Sequence, residues 1–151
     1  IRQKVFEEFK KIRKNASLDT NICLDENFCY FTQLFADTLV YASKNEFSHY
    51  YAAEQFLERF SYLHQDKKIL QEACAETIFF EKESNFNFQF LENRFINLLV
   101  SLLYSNSHKQ IILGKDIDVC GIGLGLRTTS LNNIVYGRIV LVIILGKDDN
   151  P

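Results

Sequence analysis

Among the side chains able to do chemistry, His49, Glu76 and His108 stand out by position. His49 and His108 each follow an amphipathic helical pattern, in a short polar break, and Glu76 lies in a strand-like segment between them. Side chains at such breaks converge at one end of a layered fold, and two imidazoles with one carboxylate make a partial zinc ligand set that leaves positions for water. The same three residues would also serve as a hydrogen-bonded cluster that only stabilises helix ends. The remaining histidine, His64, falls near a helix end after Phe60 and receives no role. No nucleophile accompanies the trio. There is no GxSxG elbow, and Ser105 and Ser107 lie in a helix-terminating turn beside His108. Gly121-Ile122-Gly123-Leu124-Gly125 runs between strand-like letters with no helix after it. It therefore reads as glycines admitting a neighbouring backbone rather than as a dinucleotide loop. Cys23, Cys29, Cys74 and Cys120 contain no CxxC pair. Cys23 with Cys29 could close a small loop, Cys74 with Cys120 could bridge neighbouring strands, and buried free thiols are the alternative.

The elements that must position these groups follow from apolar spacing. Val5, Phe9 and Ile12 recur at helical intervals, with Lys4, Lys10, Lys11, Arg13 and Lys14 mostly around the other side. A polar, irregular stretch is expected from Asn15 to Asn27. Phe31, Leu34, Phe35, Thr38, Leu39 and Ala42 predict a second helix ending near Asn45, and Ala53, Phe56, Leu57 and Phe60 a shorter third one. Glu72 to Phe80 reads as a strand, and Phe79 to Phe90 as an aromatic-rich loop pinned to the core. Leu91, Phe95, Leu98, Leu99, Leu102 and Leu103 mark the fourth helix, with Ser84-Asn85 before it as cap or loop. Two strand-like runs, Val119 to Leu126 and Ile134 to Leu145, predict a terminal hairpin about the six residues Thr128 to Asn133. Ile139 to Leu145 shows no polar alternation, so it must be buried on both faces, which makes the fold class α+β with helices covering a sheet on both sides.

Composition narrows the function. The chain has 151 residues, a net charge of −2 and 47% hydrophobic residues, which predicts one folded domain over residues 1–151 and excludes a disordered chain. With no global positive field, nucleic acid is not expected as a partner. Ile139 to Leu145 is the longest apolar run and falls far short of the roughly 20 residues a membrane-crossing helix needs. The chain opens without an initiator Met, so an export signal or lipid attachment site is expected upstream of Ile1.

The order Phe47-Ser48-His49, Ala75-Glu76-Thr77-Ile78, Ser105-Asn106-Ser107-His108-Lys109-Gln110-Ile111-Ile112-Leu113 and Val119-Cys120-Gly121-Ile122-Gly123 resembles the CAP superfamily of cysteine-rich secretory, antigen 5 and pathogenesis-related 1 proteins. The likeness is to its short bacterial branch, with FSH, ENI, SPGHRxNIL and VGIG-type motifs. The opening Val5 to Arg13 is similar to that family's first helix. Leu102 stands where the family usually has tryptophan, Thr77 where it has Asn, and Lys109-Gln110 where it has Arg-x. The resemblance implies a three-layer α-β-α sandwich with a mainly antiparallel central sheet. It also implies a cavity of His49, Glu76 and His108, with Ser105 as neighbour at the position of the family's second glutamate. Lys- and Asn-rich usage, with no Trp and a single Pro, is similar to that of a spirochaetal outer-surface lipoprotein. The expectation is then a non-enzymatic extracellular or cell-surface protein that presents a binding surface to a host or surface protein. A partial cavity for Zn or another divalent metal accompanies it. The alternatives are a weak metal-dependent hydrolase, with Glu76 as general base, and a sterol- or lipid-binding protein. No catalytic residue and no further cofactor is assigned.

Overall fold

Val5, Phe6 and Phe9 fall on one side of the first helical stretch, and α1 (Arg2–Asn15) buries all of them. The computed structural model describes residues 1–42 and 67–148, with 67–70 as backbone only. Within them the chain continues through β1 (Cys23–Leu24), α2 (Glu26–Tyr41), β2 (Lys67–Lys82), a 3-10 turn (Glu83–Asn85) and α3 (Phe88–Ser101). A second 3-10 turn (Leu102–Tyr104), α4 (Asn106–Ile112), β3 (Val119–Leu131) and β4 (Ile134–Asp148) complete it. The third helix expected around Ala53 to Phe60, together with His49 and His64, lies outside the described residues.

The sheet has the order β1-β3-β4-β2. Its first pair is parallel and the other two are antiparallel, so it is mixed and mainly antiparallel. β4 lies inside it, and the run Ile139 to Leu145 feeds two cores. Ile139, Leu141, Ile143 and Leu145 pack with α1, α3 and α4 on one face. Val140, Val142 and Ile144 pack with α2 on the other. Successive strand residues point to opposite faces, so a strand covered on both sides must be apolar throughout. The architecture is the α-β-α sandwich that the sequence implies.

Glycines set how closely α2 approaches. A Cβ on Gly121, Gly123 or Gly125 would come within 2.6, 2.2 and 2.6 Å of backbone atoms of Phe28, Thr32 and Ala36. The GxGxG stretch thus lets a helix lie directly on β3. α2 begins earlier than its apolar spacing indicates, because Asp25 accepts a hydrogen bond from the Phe28 amide at 2.9 Å and caps it. The stretch expected to be irregular therefore holds β1 and the start of α2. The buried stripe of α2 keeps Phe31, Phe35 and Leu39 of the expected one but is rotated about the helix. Phe28, Thr32, Ala36 and Val40 are buried, whereas Thr38 is exposed and its hydroxyl donates to the Leu34 carbonyl.

Further corrections have simple causes. Arg13, expected on a solvated cationic face, is 1% exposed. Its guanidinium donates to the carbonyls of Ile112 at 3.0 Å, Gly114 at 2.8 Å and Asp19 at 3.3 Å, tying α1 to the end of α4. The cap of α3 is Asn87, which accepts from the Phe90 amide, and Ser84-Asn85 forms the preceding 3-10 turn. The hairpin turn is two residues, not six. Asn132 and Asn133 have φ of 52° and 63°, a conformation asparagine tolerates, and β3 and β4 stay paired up to Leu131 and Ile134. All four cysteines are free thiols. Cys74 belongs to the α2 core and Cys120 to the opposite one, so the strand-to-strand bridge considered for them is excluded by the faces they occupy.

Candidate functional site

Glu76 stands on β2, on the face that α2 covers, one strand from Arg138 of β4. Its carboxylate accepts from Arg138 Nε at 2.6 Å and lies 2.5 Å from Nη2. The same guanidinium donates to the carbonyls of Val40 and Ala42 at the end of α2. The pair therefore has a structural role, since it caps the open end of α2 with a cation and ties that end to two strands. His108 sits half-buried in α4, the helix that sends Ile112 into the core on the opposite face. Ser105 precedes α4, and its hydroxyl lies 3.2 Å from that of Ser107. Among the described residues, the polar contacts of Glu76 go to Arg138, and no group of three or more His, Cys, Asp and Glu side chains is arranged to hold a metal ion. His49 lies outside those residues.

A different feature lies beyond the end of α2 on the same side of the sheet. Ile78 and Phe80 alternate with buried Phe79 along β2 and are 77% and 74% exposed. Phe80 and Tyr136 are partners across β2 and β4, with ring centroids 6.4 Å apart, and Tyr136 is 48% exposed. These side chains line an open groove of about 530 Å³, together with Arg94, Arg127, Thr129 and Arg138. Phe79 faces the other way. Its ring lies across Gly137, where a Cβ would come 2.3 Å from the ring, and packs against Phe86 and Phe90 at 5.9 and 5.2 Å. Arg94 lies over the Phe79 and Phe90 rings at 5.8 and 5.3 Å, and Arg127 over the Tyr41 ring at 5.1 Å.

In fold, the chain is similar to an outer surface protein from Borrelia burgdorferi. The two align with a TM-score of 0.57 and 17% sequence identity, over 97% of this chain and 92% of that one. No protein-family model and no curated protein sequence matches the chain. Among the described residues no helix is long and apolar enough to cross a membrane.

Chemically, the groove offers apolar contact area flanked by guanidinium donors. The sequence hides it, because Phe79 to Phe90 has the letters of one aromatic loop. The segment divides instead into the end of β2, a 3-10 turn and the start of α3. The strand's period of two separates Phe79, which faces the core, from Ile78 and Phe80, which face solvent. The alternation is visible in the letters, but nothing in the sequence indicates which phase is covered.

Proposed function

We propose that the chain is a non-enzymatic binding module displayed on a bacterial outer surface, and that its binding face is the aromatic end of the sheet beyond α2. The observation that carries this reading is the cluster of Ile78, Phe80 and Tyr136, exposed on neighbouring strands at one end of a sheet whose centre is buried. Folded monomers seldom leave large apolar side chains contiguous in water unless something covers them. Surface display is supported by the likeness in fold to a spirochaetal outer surface protein.

The CAP resemblance extends this reading to a single domain, with His49 and His108 beside Ser105 as candidate metal ligands; Glu76 stands on the α2 face and the helix of His108 on the other, so the carboxylate does not complete that set. It is supported by the order of the motifs and by the three-layer sandwich. The engagement of Glu76 by Arg138 argues for a structural carboxylate over a general base or a tight metal ligand.

The deciding experiment is binding of the whole chain to a panel of immobilised extracellular proteins. Saturable binding by the wild type is expected, with loss in the Phe80→Ser/Tyr136→Ser variant at unchanged thermal midpoint. Full binding by that variant would place the interface elsewhere. Peptide or ester hydrolysis that disappears in a folded Glu76→Ala variant would overturn the non-enzymatic assignment. Zinc binding lost in His49→Ala/His108→Ala would establish the two histidines as a metal site.

A further inference from the structure

The two edges of the sheet are treated differently. Beyond the short β1, side chains close the outer edge of β3. Arg2 Nε donates to the Ile122 carbonyl at 2.9 Å. Gln33 of α2 then accepts from the Leu124 amide at 2.9 Å and donates to the Leu124 carbonyl at 2.7 Å. β2 forms the opposite edge among the described residues, and no such side chain reaches across from another element to close it between Thr77 and Lys82. There the Ile78 carbonyl accepts from the neighbouring Thr77 hydroxyl at 3.3 Å and the Lys82 amide donates to the neighbouring Glu81 carboxylate at 2.8 Å, both in exposed positions. An open strand edge of this kind is a template for another strand.

Register decides which groups of β2 face outward. Leu124 turns its N–H and C=O to Gln33, away from β4, and in an antiparallel pair such residues alternate with those bonded across the ladder. Leu124 stands opposite Leu141, so Leu141 turns its own groups toward β2 and its partner Ala75. The main-chain groups of Glu76, Ile78, Phe80 and Lys82 therefore point outward, with no register shift to interrupt them. The side chains of the same four residues stand together on the α2 face. Their order is complementary to its own reverse. Antiparallel pairing of two copies about Phe79 sets Glu76 opposite Lys82 and Ile78 opposite Phe80 in both halves. A register centred on Ile78 instead puts Phe80 against Glu76, and one centred on Phe80 puts Ile78 against Lys82. Opposite charges and apolar pairs stabilise facing strands, which selects the first register. Arg138 engages Glu76 through Oε2, and Oε1 is left for the lysine of the second copy.

We infer that two copies of this chain pair edge to edge through β2, about Phe79, into one continuous sheet. A two-fold axis perpendicular to the sheet keeps the α2 faces of both copies on the same side. The clusters of Ile78, Phe80 and Tyr136 then lie side by side, so a partner with two epitopes meets both at once. The pairing itself is independent of the function proposed for that face.

The paired stretch is short, which places the contact at the small, weak end of specific interfaces, with a Kd of roughly tens of micromolar. Sedimentation velocity of the full chain from about 1 to 500 µM is expected to show a monomer–dimer equilibrium across that range. Ile78→Pro removes an outward N–H and leaves the β4 ladder intact, and it should weaken association at least about tenfold. Lys82→Glu, which sets two carboxylates opposite each other, should also weaken it. Circular dichroism checks that both variants are folded. Register is read with Thr77→Cys/Glu81→Cys in a Cys23→Ser background, with oxidised glutathione as oxidant. Position 77 of one copy stands opposite position 81 of the other, so the double variant should form a covalent dimer and neither single variant should. The inference is overturned by a chain that stays monomeric throughout, by full association of the folded Ile78→Pro and Lys82→Glu variants, or by equal cross-linking of the single-cysteine variants. A dimer that binds none of the immobilised extracellular proteins keeps the pairing and refutes the proposed function, and a monomer that binds does the reverse.

Discussion

At the scale of single residues, the two arginines that hold the molecule together act through carbonyl oxygens. Arg13 is enclosed in protein and donates to the carbonyls of Ile112, Gly114 and Asp19, and burial pushes its pKa below the ordinary value. Replacing it with methionine keeps much of the volume and strands three acceptors, each worth about 1 kcal/mol or more when left unsatisfied. Arg13→Met is therefore expected to lower the unfolding free energy by about 3 kcal/mol in urea titration, whereas Lys10→Met, on the same helix, should change it by less than about 0.5 kcal/mol. An equal effect of the two would show that Arg13 is not fixed in place. The sequence could not separate these cations. Period and charge put Arg13 at the edge of a polar face, and only the end of α4, about a hundred positions away, supplies the carbonyls that pull it inward. Glu76 shows the converse. Its type and position suggest a site, while Arg138, its actual partner, carries no signal in the sequence because the pairing arises from β2–β4 register alone.

At the scale of elements, the clearest constraints are the close approaches that missing side chains permit. Gly123 has the backbone of Thr32 where its Cβ would be, at 2.2 Å, whereas Gly137 has the ring of Phe79 at 2.3 Å. Backbone cannot move without shifting all of α2, but a ring can be replaced. Gly123→Ala is expected to cost about 3 kcal/mol or more with no rescue by any single second substitution. Gly137→Ala should cost a similar amount but recover at least about 1 kcal/mol when combined with Phe79→Leu. Urea midpoints of the singles and the pair decide this, and failure of Phe79→Leu to rescue would mean that the ring does not lie across Gly137. Much at this scale is legible in the letters. The helical spacing in α1 and α3 and the uninterrupted apolar run of β4 each follow from one face or two faces meeting a core. The glycine spacing identifies the close approach to β3, though not the helix that makes it. What escapes are ends and turns, set by Asp25, Asn87, Asn132 and Asn133, whose capping or left-handed roles depend on one or two residues instead of a period.

At the scale of the whole molecule, the four cysteines decide how stability responds to conditions. All are free, and Cys29, Cys74 and Cys120 are buried while Cys23 is exposed. Burial is the first cause in raising each of the three buried thiols above the ordinary value of 9.0. A fold closed by two hydrophobic cores needs no covalent staple, so the thermal midpoint is expected to be the same with and without reductant. One thiol per chain should react with a disulfide reagent at neutral pH, and four after denaturation. The raised values also give stability a direction in pH. Below about pH 9 both folded and unfolded chains keep these thiols protonated, and they contribute no slope. Above it the unfolded chain loses protons that the folded chain retains, so stability falls by up to about 1.4 kcal/mol per pH unit for each buried thiol. A steep drop in the urea midpoint between about pH 9 and 10.5, made shallower by Cys120→Val, is the expected result. A slope unchanged by that substitution would mean that Cys120 ionises in the native state, which cannot be reconciled with a thiol sealed between β3 and the helices of the α1 face.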